Sequence, residues 1–529
     1  MRAEHWAQAG QTDIYDVTII GGGATGLGVA LDAALRGFSV LLLESHDFGG
    51  GTSSRSTKLL HGGVRYLAQG NISLVREALA ERTTVLHIAP HLAQPLPFVM
   101  PSYHWWQTPF YGIGLKAYDL LAGKAGLGST ELLSRTEVQD ALPGIRTDHL
   151  QGGVKYWDGQ FDDARLALAL ARSAERAGAV VLNYADVTAI TDMSGADAHF
   201  EVGVTDKRLG LEHHFKTRAL INAAGVWVDQ IRKMAQPATD ETPHHRMVSP
   251  SQGVHVVVDR SFMPAEHALL VPKTQDGRVL FAVPWMGSII LGTTDTPRQD
   301  LPREPDPFAS ELEFILQEAS KVLSKTVSKQ DIKSVWVGLR PLVAAPSNNG
   351  NTATKTLSRE HTIVTDPNGL VTVTGGKWTT YRAMAEDVLD ACFKANLLPA
   401  RAGGATSKHA LVGAAQLGGQ NHALWQAPGP HLYGSEIEAV RQCPGVDREI
   451  GLGLTEAMVR FAVRHEYAQT VEDVLARRWR VLFLDAKLAN SMAPSVAQIL
   501  QEETGLDPEL AAFENLTEHY LPSSAVAEA

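Results

Sequence analysis

The segment DVTIIGGGATGLGVALDAALRG, residues 16–37, constrains the fold more than any other part of the chain. Its apolar residues run into Gly21, Gly23 and Gly26, which have the G-x-G-x-x-G spacing, and an alanine-rich helix follows. The first glycine of such a motif allows a tight turn, the second lets the backbone approach a pyrophosphate, and the third lets helix and strand pack closely. The pattern therefore predicts a dinucleotide-binding βαβ unit.

A carboxylate completes this unit. The next apolar run, FSVLLLESHDF, reaches Glu44 about 20 residues after the glycines, where an acidic side chain binds a ribose hydroxyl. A glutamate in this place also disfavours a 2′-phosphate. We expect Ala24 and Thr25, inside the glycine motif, to contact the same nucleotide.

Strict alternation of strands and helices then ends. Segments 253–259, 278–285 and 288–295 are typical of antiparallel strands, whereas 361–389 returns to strand, glycine pair and helix. This order predicts an α/β fold with α+β insertions, in which a Rossmann-like nucleotide domain is interrupted by an antiparallel-sheet substrate domain. We expect residues 1–100, 150–230 and 355–395 in the nucleotide domain, 101–149 and 231–354 in the substrate domain, 396–430 as a Gly- and Ala-rich linker, and 431–529 as a C-terminal helical domain.

Charge and cysteine content limit the classes of function that the chain is expected to have. The formal net charge is -11, which opposes nucleic-acid binding, so an anion site must be a local cationic cluster. Cys392 and Cys443 have no metal-ligand spacing and form no disulfide framework, as suits a reducing compartment, and no metal site is predicted. The N-terminus lacks the apolar core of a signal peptide, and no run of about 20 apolar residues predicts a membrane span.

One aromatic segment, residues 103–123, contains the Trp and Tyr side chains that favour membrane interfaces. From sequence, packing beneath a loop is the preferred interpretation, with membrane contact as the alternative.

Several further motifs resemble those of the FAD-dependent, aerobic respiratory glycerol-3-phosphate dehydrogenases, within the flavoproteins of amino-acid-oxidase-like fold. The resemblance spans nearly the whole chain and rests on DVTIIGGGATGLGVALDAALRG, STKLLHGGVRYL, DDARLALALA, INAAGVWVD, FAVPWMGSIILGTTDT, GLRPLV, SRE and GGKWTTYR. The chain departs from the shorter bacterial relatives around 400–435, and it has Glu360 and His361 where an Asp and an aromatic residue or His are common.

The resemblance implies non-covalent FAD, because neither cysteine lies in a flavin motif. It implies that STKLLHGGVRYL lies beside the isoalloxazine ring, where a glycine pair lets the backbone approach a planar group. We expect His61 to be a loop histidine bonded to backbone. The implied cofactor contacts are Thr52, Ser53, Ser56, Lys58, Leu60, Gly62, Gly63, Val187, Gly225, Trp227, Gly376, Lys377, Trp378 and Thr379.

The implied substrate is sn-glycerol 3-phosphate, a small dianion that favours bidentate arginine contacts. The resemblance assigns it Arg65, Tyr66, Arg359 and Lys377. Taken alone, each cation would be a surface charge, although Arg340 lies between apolar neighbours and favours an anion more than the others do.

Two residues are predicted to be catalytic. His255, in an apolar strand, would be a satisfied core histidine without the resemblance; with it, His255 is the expected general base for the C2 hydroxyl. Arg340 keeps its proton and is expected to stabilise the developing alkoxide.

The predicted activity is oxidation of sn-glycerol 3-phosphate to dihydroxyacetone phosphate, with a hydride passed to FAD N5 and electrons passed to a membrane quinone. The resemblance implies a cytoplasmic homodimer that associates peripherally with the inner face of the plasma membrane. The alternatives are an oxidase that uses oxygen, a non-catalytic flavin-binding protein, and an amine- or amino-acid-oxidising enzyme of the same fold.

Overall fold

A computed structural model describes residues 2–63, 71–193, 197–236, 246–275, 277–344, 361–414 and 422–527. Three predicted substrate residues, Arg65, Tyr66 and Arg359, lie outside the described residues, as does Glu360.

Most strands belong to two large sheets. In chain order they are β1 Tyr15–Ile20, β2 Val40–Leu43, β3 Leu59–Leu60, β4 Ala93–Ser102, β5 Glu131–Ser134, β6 Gly152–Phe161, β7 Val180–Leu182, β8 Ala185–Asp192, β9 Phe200–Asp206, β10 Leu211–Asn222, β11 Val248–Asp259, β12 Ala268–Val271, β13 Leu280–Trp285, β14 Ser288–Gly292, β15 Thr296–Pro297, β16 Ser334–Val343, β17 His361–Thr365, β18 Val371–Gly375, β19 Glu449–Gly451 and β20 Leu454–Thr455.

The first sheet has the order β17-β18-β10-β1-β2-β7, with β8 and β9 attached through β10. Neighbours from β18 to β7 run parallel, so their carboxyl ends share one edge, which is where open α/β sheets bind nucleotides. The glycine motif follows β1 at this edge. Gly21 has φ +114°, and a Cβ there would lie 2.5 Å from the Ala223 carbonyl oxygen after β10, so only glycine allows this approach.

Helices cover both faces of this sheet or join it to the second one. Helix Asp163–Arg176 is capped at its amino end by Asp162, whose side chain accepts a hydrogen bond from the Arg165 amide at 3.2 Å. The described helices before residue 400 are Arg2–Ala9, Ala24–Leu35, Ile72–Ile88, Gln107–Ala122, Arg135–Ala141, Asp163–Arg176, Val228–Met234, Ala309–Val322 and Tyr381–Lys394.

The second sheet is mainly antiparallel and has the order β15-β11-β14-β13-β12-β4-β6-β3, with β16 on β11 and β5 on β6. It includes β4 and β6, although the sequence assigned residues 93–100 and 152–161 to the nucleotide domain. The boundary prediction was wrong there because pairing between distant strands leaves no local signal. In β11 and β16, Ser251 faces Arg340 and His255 faces Trp336.

The region after residue 430 is mostly helical, as predicted, and shares a large apolar core with the second sheet. Its helices are Ile437–Arg441, Glu456–His465, a π-helical turn Asp473–Arg478, Val481–Leu484, Ala486–Thr504 and Leu510–His519. Within this region the backbone turns at Tyr467 and Arg480, which have φ of 60° and 62°.

The aromatic segment forms helix Gln107–Ala122, and the packing interpretation was wrong for much of it. Tyr118 and Leu115 are buried, but Trp105, Phe110 and Leu120 are 82%, 65% and 83% exposed. The segment therefore presents an apolar surface. Among the helices within the described ranges, none combines the length and apolarity that crossing a bilayer requires.

Candidate active site

A cavity of about 1400 Å³ lies between the two sheets. Pockets for drug-sized ligands are about 300–1,000 Å³, so this one has room for a dinucleotide and a small substrate. The sequence-predicted residues that line it are Gly21, Gly23, Ala24, Thr25, Glu44, Thr52, Ser53, Ser56, Gly63, Val187, Gly225, Trp227, His255, Arg340, Gly376, Lys377, Trp378 and Thr379.

Glu44 marks the nucleotide end of the cavity. Its carboxylate accepts hydrogen bonds from the Gly22 amide at 2.7 Å and the His46 amide at 2.9 Å. Burial raises the pKa of Glu44, against the lowering effect of these two amides. Backbone donors thus fix the carboxylate beside the glycine motif, where the sequence placed a ribose ligand.

The loop 52–57 is hydrogen-bonded to three other segments around the cavity. Ser53 Oγ accepts from the Ala24 amide at 2.9 Å, and the Ser53 carbonyl accepts from Trp378 Nε1 at 2.8 Å. Thr52 Oγ1 donates to the Leu339 carbonyl at 2.6 Å. One short loop therefore contacts helix Ala24–Leu35, the GGKW turn and the strand that carries Arg340.

Four residues assigned to the cofactor lie behind the cavity wall. Gly26 packs helix against turn, because a Cβ there would strike the Gly21 carbonyl, and Leu60 and Gly62 are buried in the protein. The Lys58 ammonium donates to Asp163 at 2.8 Å, and burial, followed by the nearby charge of Arg480, lowers its pKa to about 7. The expected flavin contact by the Lys58 side chain is thus replaced by an internal ion pair.

The residues at the cavity fit FAD. Gly225 has φ +61°, lines the cavity, and would place a Cβ with no protein atom within 4 Å, so its backbone is open to a close ligand. The helix that starts at Ala24 directs its amino end to the same space, which suits a pyrophosphate. Gly376 and Lys377 precede the turn Trp378–Thr380 and line the same cavity.

Arg340 lies at the substrate end. Its guanidinium donates to the Thr294 carbonyl at 2.9 Å, to Thr293 Oγ1 at 3.1 Å and to Asp295 Oδ1 at 3.3 Å. A Cβ on Gly253 would lie 2.7 Å from Arg340 Cζ, so this glycine makes room for the guanidinium against β11. The Arg340 side chain is partly buried and lines the cavity.

His255 extends from β11, the strand that also contains Gly253. Its Nε2 lies 2.9 Å from Thr57 Oγ1, and its ring stacks on Trp336 at 5.1 Å between centroids. Burial lowers the pKa of His255 well below its usual value, with further lowering by the charges of Arg340 and Lys58. The imidazole is therefore neutral at pH 7 and can accept a proton, with a pKa below the near-neutral value of an ordinary histidine.

Sequence reasoning missed several cavity residues. Thr57 lies inside the STKLL motif, and its hydroxyl could have been proposed as a histidine partner. Arg303 also lines the cavity, and its charge acts on Glu44 and His46. Arg303 lies in a proline-rich loop, and no motif in that loop indicates that the residue reaches the cavity.

Known protein families match both parts of the chain. The family model described as "FAD dependent oxidoreductase" matches residues 16–382, and that of the "C-terminal domain of alpha-glycerophosphate oxidase" matches residues 405–511.

Individual proteins match over nearly the full length. The mitochondrial glycerol-3-phosphate dehydrogenase of Bos taurus is 39% identical, over 94% of this chain and 71% of its own. The probable mitochondrial glycerol-3-phosphate dehydrogenase of Caenorhabditis elegans is 41% identical, over 93% and 71%. The glycerol-3-phosphate dehydrogenase of Bacillus halodurans, solved with FAD, superposes with a TM-score of 0.76 at 28% identity and covers 99% of this chain and 97% of its own. With the nucleotide crevice and cationic pocket described above, these matches identify the chain as a member of the FAD-dependent oxidoreductases, in the glycerol-3-phosphate dehydrogenase family.

Proposed function

We propose that the protein oxidises the C2 hydroxyl of sn-glycerol 3-phosphate to the ketone of dihydroxyacetone phosphate. The observation that carries this proposal is a single cavity that joins Glu44 and the glycine motif at one end to Arg340 and His255 at the other. The names of the full-length relatives support the substrate.

Each wall residue has a distinct task in this reaction. Arg340 and Lys377 supply positive charge at the cavity, where a phosphorylated alcohol needs it. Neutral His255 accepts the hydroxyl proton, and Arg340 stabilises the alkoxide that develops. Bound FAD supplies the two-electron acceptor for the hydride that leaves C2. Arg65, Tyr66 and Arg359 stay predicted phosphate contacts.

Anaerobic titration of the purified yellow protein with sn-glycerol 3-phosphate tests the proposal. We expect the flavin absorbance near 450 nm to bleach, and sn-glycerol 1-phosphate to leave it unchanged. Persistence of the oxidised spectrum with substrate in excess would favour a non-catalytic flavin protein, and bleaching by an amino acid would favour an amine-oxidising one.

A membrane quinone is the proposed electron acceptor, reached at the inner face of the plasma membrane. Helix Gln107–Ala122 supports this because Phe110 and Ile113 both line the cavity and are exposed. Exposed Trp105 lies just before the helix, and tryptophan favours the lipid headgroup region. An apolar surface beside the cavity would let a quinone approach from the bilayer.

Cosedimentation with vesicles of phosphatidylethanolamine and phosphatidylglycerol tests the membrane surface. We expect the double variant Trp105→Ser/Leu120→Ser, which changes exposed residues outside the cavity lining, to lose vesicle binding and keep turnover with a water-soluble quinone. The matched control is Leu209→Ser/Leu211→Ser, which changes two exposed apolar residues on the hairpin of β9 and β10. Equal binding by both variants would reject this surface.

Reoxidation in air separates dehydrogenase from oxidase. A dehydrogenase reoxidises faster with a quinone analogue than with oxygen, whereas stoichiometric hydrogen peroxide release would identify an oxidase. The homodimer also stays a prediction, which light scattering of the purified protein would check.

A further inference from the structure

Behind the loop 52–57, two cations from distant parts of the chain bind the same two acceptors. Lys58 Nζ donates to the Ser54 carbonyl at 2.7 Å and to Asp163 Oδ2 at 2.8 Å. Arg480 Nη2 donates to the same carbonyl at 2.7 Å and to Asp163 Oδ1 at 3.2 Å. The side chains of Lys58, Asp163 and Arg480 have no solvent exposure.

Arg480 belongs to the C-terminal region, and its own element holds it rigidly. The residue has φ 62°, its Nη1 donates to the Ala476 carbonyl at 2.7 Å, and its guanidinium lies 4.1 Å from the Phe483 ring centroid. Burying a second cation beside Lys58 is costly unless carboxylates and hydrogen bonds compensate the loss of hydration. Asp162, 3.8 Å from Arg480 Nε, adds a second carboxylate to the cluster.

The Ser54 carbonyl lies in the middle of the loop that lines the cavity. One residue before it, Ser53 bonds both Ala24 and Trp378. Three residues after it, Thr57 Oγ1 contacts His255 Nε2. A displacement of Ser54 would therefore move the cofactor wall and the histidine partner together.

The Trp336 ring provides a second link between this ion cluster and His255. Trp336 stacks on His255, and the Lys58 ammonium lies 5.2 Å from the centroid of the same indole. Lys58 and Arg480 share the Ser54 carbonyl and the Asp163 carboxylate. A change at Arg480 would therefore also alter the position of the Lys58 ammonium beside the Trp336 ring.

We propose that Arg480 is a positioning residue through which the C-terminal domain holds the cavity loop 52–57 and, through Thr57, orients His255. The C-terminal domain is then part of the catalytic centre, although Arg480 does not line the cavity. The turnover arm of the test rests on the proposed function, whereas the cofactor arm does not.

The test compares Arg480→Met with Arg172→Met in the full-length protein. Arg172 is a matched control because it is also buried and binds the C-terminal region through Glu436 at 2.9 Å, away from the loop. For Arg480→Met we expect at least a tenfold rise in the FAD dissociation constant, measured by flavin fluorescence. We also expect a loss of about 10²-fold in the anaerobic flavin reduction rate at saturating substrate, with KM changed less than about threefold, because small misplacement of reacting groups costs rate. Arg172→Met should lower the melting temperature and leave both quantities within about twofold of wild type.

Arg480→Lys keeps the charge, and should recover part of the FAD affinity and rate. It also serves as the test variant if Arg480→Met does not fold, and it should then lie between wild type and the losses above. If the Arg480 variants match Arg172→Met in FAD affinity and reduction rate, the positioning role is rejected. If wild-type flavin is not reduced by sn-glycerol 3-phosphate, the proposed function fails, while the FAD dissociation constants still decide the role of Arg480.

Discussion

Arginines serve two regions of this protein in opposite ways. At the cavity, the Arg340 side chain is 23% exposed and shares its hydrogen bonds among two backbone carbonyls, a threonine hydroxyl and one carboxylate. At the C-terminal interface, Arg477 and Arg478 are at most 2% exposed, and Arg477 bonds three carboxylates, those of Asp47, Glu472 and Asp473.

The difference lies in where each positive charge stands. Asp47 pairs with both Arg477 and Arg478, so a buried ion cluster joins the nucleotide domain to the C-terminal domain. Arg340 lines the cavity and is partly exposed there, so its guanidinium is accessible to a bound anion. A buried ion cluster supports cohesion between domains, and a cation exposed to a cavity supports anion binding.

The largest effect is expected at the interface. Asp47→Asn would remove the carboxylate that pairs with buried Arg478 and one of the three that pair with Arg477, and would lower the free energy of unfolding by about 3–5 kcal/mol. Burial raises the pKa of Asp47, but the charges of Arg478 and Arg477 outweigh it and the pKa is lowered. The carboxylate therefore stabilises the fold above its unfolded pKa of about 3.9 and loses this contribution as pH falls through the lower folded value.

Urea unfolding at pH 7 measures this change. Asp16→Asn is the control because its pair with Arg218 is partly exposed, and it should cost about 0–1 kcal/mol. Equal losses in the two variants would remove the distinction between the interface and an ordinary surface pair.

At the cavity, Arg340→Met should lower kcat about 10²–10³-fold, as loss of a donor to a developing oxyanion does. Bound FAD and the melting temperature should change little, because Arg340 belongs to the substrate end. Stopped-flow flavin reduction measures the rate, and Arg340→Lys should retain part of it. A variant that loses FAD instead would place Arg340 among the structural arginines.

His255→Gln should lower the flavin reduction rate about 10²-fold, as loss of a general base does. Burial, then the charges of Arg340 and Lys58, lower the pKa of His255, so its neutral form persists well below pH 6.5. The wild-type rate should fall only as pH drops through this lowered pKa, and His255→Gln should lack that acid limb. A wild-type inflection near 6.5 that disappears in the variant would show that the site does not suppress the imidazolium.

The smallest expected effect comes from Gly253→Ala. The added Cβ meets the flexible end of Arg340 and should displace the guanidinium while keeping its charge, for a loss of about tenfold in kcat/KM. In an Arg340→Met background the same substitution should have little further effect, as a double-mutant cycle would reveal. Additive losses would mean that Gly253 acts through the strand rather than through Arg340.

Much of the nucleotide end was predictable because its signals are local. Gly21 and Gly23 follow an apolar strand directly, and Glu44 ends the next strand at a set distance, so short-range spacing was enough to place them on one wall. The resemblance added Thr52, Ser53 and the GGKW turn, which line the same cavity.

Other features could not be predicted because they depend on pairing across long separations. Lys58 was expected at the flavin, yet Asp163, 105 positions later in the chain, binds it inside the protein. Arg480, 422 positions after Lys58, binds the same carboxylate. Strands β4 and β6 pair with each other in the second sheet, against the expected boundary. The exposure of Trp105 and Phe110 also depends on what the rest of the chain leaves uncovered.

The order of residues alone therefore predicted the glycine turn after β1, Glu44 at the end of β2 and an antiparallel insertion, since backbone sterics and the periodicity of burial act over a few neighbours. Folding determined which cations pair with buried carboxylates and which face the cavity, because a charge is neutralised by the opposite charges that lie within a few ångströms of it in space.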